Sequence, residues 1–196
     1  MSRFTEQEDD VQFSEPILAQ KQVKTKVGFV ERAEWESKTG GQKDGRKFSA
    51  CKLTLTIDDS TVKTEHADAK PRLTIEDQFN LESFPYEDKK TGEVKKLGRT
   101  KLYQLEQVFG FDPVFKVGGN VVEPYVTKSG AKVAPKIEGV KRVPNEDFFN
   151  AYFDELGNPR VDNWVDKIVY ADVEVEESEQ FGNRNTISRY VKAPNV

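Results

Sequence analysis

The chain has 196 residues, 33% of them charged, and its 30 basic and 34 acidic side chains leave a net charge of −4. That length holds one large domain or one domain with an insertion, and the acidic balance excludes a plain polycation that binds phosphate by charge alone. The single cysteine, Cys51, excludes an internal disulfide and a cysteine-built zinc site. No apolar run reaches the ~18 residues that cross a bilayer, and the polar, acidic N-terminus lacks the pattern of a signal peptide. The expected setting is therefore the reducing cytoplasm, with no membrane partner. The 13 Phe, 6 Tyr and 2 Trp run along the whole chain and supply volume for a core.

Residues 1–20 are polar and without period. They carry Glu6, Glu8, Asp9, Asp10 and Glu15 and read as a mobile acidic arm. Domain structure is expected over 21–196. Residues 22–35 predict a long half-buried strand, with Val23, Thr25, Val27, Phe29, Ala33 and Trp35 on the core face. Gly28 inside it predicts a bend or bulge. The glycine-rich stretch 37–47 predicts a basic loop. Residues 48–58 predict a second strand, with Cys51, Leu53, Leu55 and Ile57 facing inward; Cys51 then serves as a small core residue. Residues 72–81 predict a third, with Leu73, Ile75, Phe79 and Leu81 inward and Asp77 breaking the apolar face.

Residues 84–97, FPYEDKKTGEVKKL, read as a second basic loop with aromatic neighbours. A helix is predicted from Thr100, with Leu102, Leu105, Val108 and Phe109 in one stripe and Gly110 as its stop. Residues 112–165 read as an inserted α/β segment, with Asn145 as the N-cap of a short helix. Residues 167–176 and the stretch from Thr186 to Ala193 predict a closing hairpin.

Three strands, a helix and a closing strand pair make the chain mainly β. This is the order of an oligonucleotide-binding (OB) type five-stranded Greek-key barrel, whose helix lies between the third and fourth strands. A β-sandwich is the competing architecture. Ala33-Glu34-Trp35 followed by Ser37-Lys38-Thr39-Gly40, then Gln78-Phe79-Asn80-Leu81, Phe109-Gly110 and Val173-Glu174-Val175-Glu176, resembles phage-encoded OB-fold single-stranded DNA-binding proteins. The resemblance covers about residues 23–110 and 167–192. The chain departs from it in residues 112–165 and in ending Lys192-Ala193-Pro194-Asn195-Val196, without an acidic C-terminal tail.

The resemblance implies a sequence-tolerant single-stranded DNA-binding protein acting in phage DNA replication or recombination. It would be located in the host cytoplasm, with replication or recombination proteins as further partners. Such a site needs aromatic platforms for bases and cations for phosphates. The residues expected to supply them are Trp35, Lys38, Lys43, Arg46 and Lys47 around the first loop, and Lys52 and Arg72 on the second and third strands. The second basic loop adds Phe84, Tyr86, Lys89, Lys90, Lys95, Lys96 and Arg99, and the last hairpin Arg184, Arg189 and Tyr190. The competing function is an OB-type module that binds a protein partner.

No enzyme is expected, and no cofactor. His66, the only histidine, has no legible nucleophile partner. Asp58-Asp59-Ser60 reads as a turn instead of a Mg²⁺ site, and there is no P-loop or dinucleotide fingerprint. Replacing Lys89, Lys90, Lys95 and Lys96 by Ala should flatten the salt dependence of oligo-dT binding. An unchanged slope in that titration removes this segment from the site.

Overall fold

The computed structural model describes residues 14–36, 47–87, 91–177 and 182–194, with the backbone alone at 35–36, 84–87 and 94–97. Its first half runs β1 (Ser14–Glu15), β2 (Gln20–Glu36), β3 (Lys47–Ile57), β4 (Lys70–Pro71), β5 (Thr74–Asn80), β6 (Phe84–Glu87), β7 (Val94–Leu97) and α1 (Thr100–Val108). The second half runs β8 (Val114–Val117), β9 (Asn120–Val122), β10 (Tyr125–Val126), β11 (Lys132–Val133), β12 (Lys141–Val143), α2 (Glu146–Tyr152), α3 (Val161–Trp164), β13 (Ile168–Glu176) and β14 (Arg184–Val191). The chain is mainly β, as expected. No helix is long and apolar enough to cross a membrane among the described residues.

The centre is a five-stranded antiparallel sheet in the order β14-β13-β2-β3-β5. Among the described residues no ladder joins the edges β14 and β5, so backbone hydrogen bonds do not close it into the expected barrel. The edges are instead joined by side chains. Tyr190 on β14 donates its hydroxyl proton to Asp77 on β5 at 2.6 Å. Lys101 on α1 pairs with the same carboxylate, and Gln104 Oε1 on α1 accepts the Tyr190 backbone N–H at 3.0 Å.

The expected irregularity at Gly28 is a bulge: the β2–β3 register shifts between Val27 and Phe29. One extra residue reverses the inward–outward alternation beyond it. Val23 and Val27 are buried before the bulge and Val30 after it, while Phe29, expected in the core, is 49% exposed. A Cβ at Gly28 would sit 3.2 Å from Thr56 Oγ1 and 3.4 Å from the Thr54 carbonyl oxygen, so the strands are close there. Leu73, also expected inward, lies before the β3–β5 ladder begins at Thr74 and is exposed. Cys51, Leu53, Leu55, Ile75, Phe79 and Leu81 are buried as expected. Burial pushes the Cys51 thiol up to about 12.

Residues 14–20 lie against the domain. Ser14 and Glu15 pair in parallel with Lys70 and Pro71. Ile17 is fully buried and exchanges two hydrogen bonds of 2.8 Å with the Asn185 side chain. The stretch 84–97 differs from the expected loop. Its described ends form an antiparallel pair, with Tyr86 opposite Lys95 and Pro85 opposite Lys96.

Residues 112–165 fold as an antiparallel sheet β12-β8-β9, the β10-β11 pair, and helices α2 and α3. Asn145 caps α2 as expected, its side chain accepting from the Phe148 N–H at 3.1 Å. Glu106 of α1 is fully buried; it accepts the Asn145 N–H at 2.9 Å and pairs with Arg142 at 3.4 Å. Burial pushes this carboxyl above the ordinary carboxylate range, against the pull of the Asn145 N–H and the Arg142 guanidinium.

The core is continuous from the sheet into this segment. Fully buried Trp164 stacks on Phe79 of β5 at 5.8 Å and meets Phe109 edge-on at 5.5 Å. Its indole N–H donates to the Tyr152 carbonyl at 2.9 Å. Aromatic pairs of this kind add to the effect of area burial alone. Trp164→Ala should cost about 3–5 kcal/mol. Urea denaturation followed by circular dichroism should show one transition at a lower midpoint; two separate transitions would contradict a shared core.

Candidate nucleic-acid interface

Beyond the bulge, the outer surface of the central sheet is set by register. Phe29, Thr54 and Glu76 form one row across β2, β3 and β5, and Glu31, Lys52 and Gln78 form the next. Directly opposed residues share a face, and Lys52, Glu76 and Gln78 are exposed. Val30, Leu53 and Asp77 form the row on the inner face.

A cleft of about 510 Å³ opens at the edge of this surface. Lys52 from β3, Arg72 and Gln78 from around β5, and Arg184 and Asn185 from β14 line it. The cleft exists because the two sheet edges approach each other across Asp77. Lys52 and Arg72 make no ion pair among the described residues. Arg184 donates through Nε and Nη2 to one oxygen of Glu176, Oε2, at 3.0 and 2.8 Å. Exposed Glu76 also lines the cleft, so its charge is mixed and not strongly basic.

The remaining expected site residues divide into distinct groups. Lys47 is exposed and lies 3.7 Å from Glu34. Arg99 is half-buried, 5.8 Å from the Tyr103 ring centre, with its Nε buried and unpaired. Arg189 holds Asp172 through Nε at 2.9 Å and Nη2 at 2.5 Å, and Asp172 in turn accepts the Gln22 N–H at 3.0 Å. That arrangement fixes the bulge where the β13 ladders shift register, so Arg189 serves the fold.

Tyr190 corrects the expectation directly: it is 3% exposed and offers no stacking surface. Burial and the adjacent Asp77 carboxylate push its phenol well above the ordinary range. Lys38, Lys43, Arg46, Lys89 and Lys90 lie outside the described residues. Trp35, Phe84, Tyr86, Lys95 and Lys96 are described as backbone only, with Trp35 opposite Phe48 in the ladder.

Phe29 is the aromatic that sequence reading missed. It stands on the outer surface, one row from Lys52. The signal was present at Gly28, since a bulge reverses every inward–outward assignment after it.

Elsewhere the surface shows little built chemistry. His66 Nε2 lies 3.2 Å from Glu15 Oε1 with its side chain 75% exposed. Among the described residues, no three His, Cys, Asp or Glu side chains group as a metal site. No family model, curated protein or solved structure matches the chain.

Tyr190→Phe deletes one of the donors to a nearly buried carboxylate, so urea denaturation should show a loss of about 1–3 kcal/mol. The wild-type phenol adds a pH dependence with a definite sign. Its folded pKa is raised, so its contribution is complete below the unfolded value near 10 and is lost as pH climbs above it. Wild type should therefore lose its stability advantage over Tyr190→Phe above pH 10; a constant difference through that range would contradict the assignment.

Proposed function

We propose that this chain is an OB-type single-stranded DNA-binding protein, sequence-tolerant, of the kind that phages use in DNA replication or recombination. The five sheet strands support the fold reading. Taken in chain order they lie 5-4-1-2-3 across the sheet, with α1 between the third and fourth. That order is the one expected of an OB barrel opened at one seam, and it supports this reading.

The observation that carries the functional reading is the solvent-facing pair Lys52 and Arg72. Both line the cleft at the second and third strands, where OB folds take oligonucleotides. Phe29 gives the same surface an exposed ring, and base stacking on such rings tolerates any sequence. Gln78 adds a polar group without charge to the cleft.

A second reading has its own observation. Glu76 lines the cleft, Glu176 neutralises Arg184, and the chain carries −4 overall. A mixed surface of this kind also suits a protein partner, such as a replication or recombination protein.

A salt titration of labelled oligo-dT, read by fluorescence anisotropy, separates the two. Single-strand binding predicts an affinity that falls linearly with salt on logarithmic axes. The Lys52→Ala/Arg72→Ala double variant should reduce that slope by roughly 0.7 per lost phosphate contact. Absence of wild-type binding at low salt overturns the single-strand reading in favour of a protein partner.

A further inference from the structure

The segment from β8 to β12 is basic in a chain whose overall balance is acidic. Residues 114–143 hold six basic side chains and two acidic ones, in a protein of net charge −4. Lys132 is neutralised by Asp112 and Arg142 is engaged by Glu106. Lys116, Lys128, Lys136 and Lys141 make no ion pair among the described residues.

Two of these four lysines are placed against each other. Lys141 of β12 and Lys116 of β8 are directly opposite in the antiparallel ladder, and Val121 of β9 completes the row. Like charges directly opposed across strands are destabilising. A bound anion between them would remove that repulsion, whereas a merely solvated surface gains nothing from the pairing.

The same segment exposes apolar side chains that the core does not use. Val121 is 66% exposed, Tyr125 60% and Val126 54%. Tyr125 lies opposite Val133, and Val126 opposite Lys132, in the β10-β11 pair. A flat ring and unpaired cations on one short stretch are complementary to a chain of bases and phosphates.

We infer that residues 114–143 form a second contact for single-stranded nucleic acid, separate from the cleft. Lys116 and Lys141 together hold phosphate, Lys128 and Lys136 extend the cationic track, and Tyr125 stacks on a base. This inference rests on the single-strand reading above, and it lengthens the path of the bound strand beyond the central sheet.

Oligo-dT anisotropy titrations compare the wild-type chain with three variants. They are the quadruple Lys116→Ala/Lys128→Ala/Lys136→Ala/Lys141→Ala, Tyr125→Ala and Tyr125→Phe. All the altered side chains except Lys116 are exposed and Lys116 is half-exposed, so far-UV circular dichroism should match wild type. The quadruple variant should lower the logarithmic salt slope by up to about 2.8, at roughly 0.7 per phosphate contact. Tyr125→Ala should weaken binding about five-fold or more, and Tyr125→Phe should retain it.

Wild-type binding with unchanged slope and affinity in these variants overturns the second contact alone. Absence of wild-type binding at low salt overturns both readings. If the quadruple variant is misfolded, the Tyr125→Ala and Tyr125→Phe pair still decides, because equal affinities in that pair exclude stacking.

Discussion

The carboxylate of Asp77 governs the architecture. It points from β5 into the sheet interior with its side chain 8% exposed, in a row otherwise occupied by Val30 and Leu53. An unpaired carboxylate there would cost several kcal/mol in desolvation. Two groups compensate it: the Lys101 ammonium from α1 and the Tyr190 hydroxyl from β14. The two edges of one sheet and the helix between them therefore meet at a single charge. Gln104 adds a second fastening by accepting the Tyr190 N–H. A purely apolar residue at position 77 would fill the space without specifying which edge must meet which.

The consequence outside the sheet is the cleft. Lys52 and Arg72 belong to β3 and the approach to β5, and Arg184 and Asn185 to β14, more than a hundred residues later in the chain. They line one surface because Asp77 draws the edges together on the inner side. Trp164 and its aromatic neighbours brace the same arrangement from below, since Phe79 on β5 is both a sheet residue and a stacking partner of Trp164. The 112–165 segment is in this sense part of the packing that shapes the sheet, with Glu106 and Asn145 joining it to α1.

Much of the fold was legible in the sequence wherever period and chain position agreed. Strands β3 and β13, helix α1 with its stop at Gly110, and the Asn145 cap all follow from local pattern. The misassignments have specific physical causes. Phe29 turned outward because the Gly28 bulge consumes a residue, and the pattern beyond it was read in the old phase. Leu73 lies ahead of the ladder that its alternation presumed. Tyr190 has the composition of an interface residue but is claimed by Asp77, a partner 113 positions away. No local signal reports that contact, although the oddity of Asp77 on an apolar face did indicate that something must satisfy it. Arg184 and Arg189 likewise looked like free cations until Glu176 and Asp172 were placed beside them.

Edge-to-edge fastening at Asp77 shapes the surface on which the proposed single strand lies. The most direct measurement is a two-dimensional amide NMR titration of the folded chain with oligo-dT. Perturbations should concentrate on the backbone amides of Lys52, Arg72, Thr74, Gln78, Asn185 and Thr186, drawn from both edges at once. Shifts on β3 and β5 with none on β14, or binding that leaves all six amides unmoved, would mean that the strand does not lie across the two fastened edges.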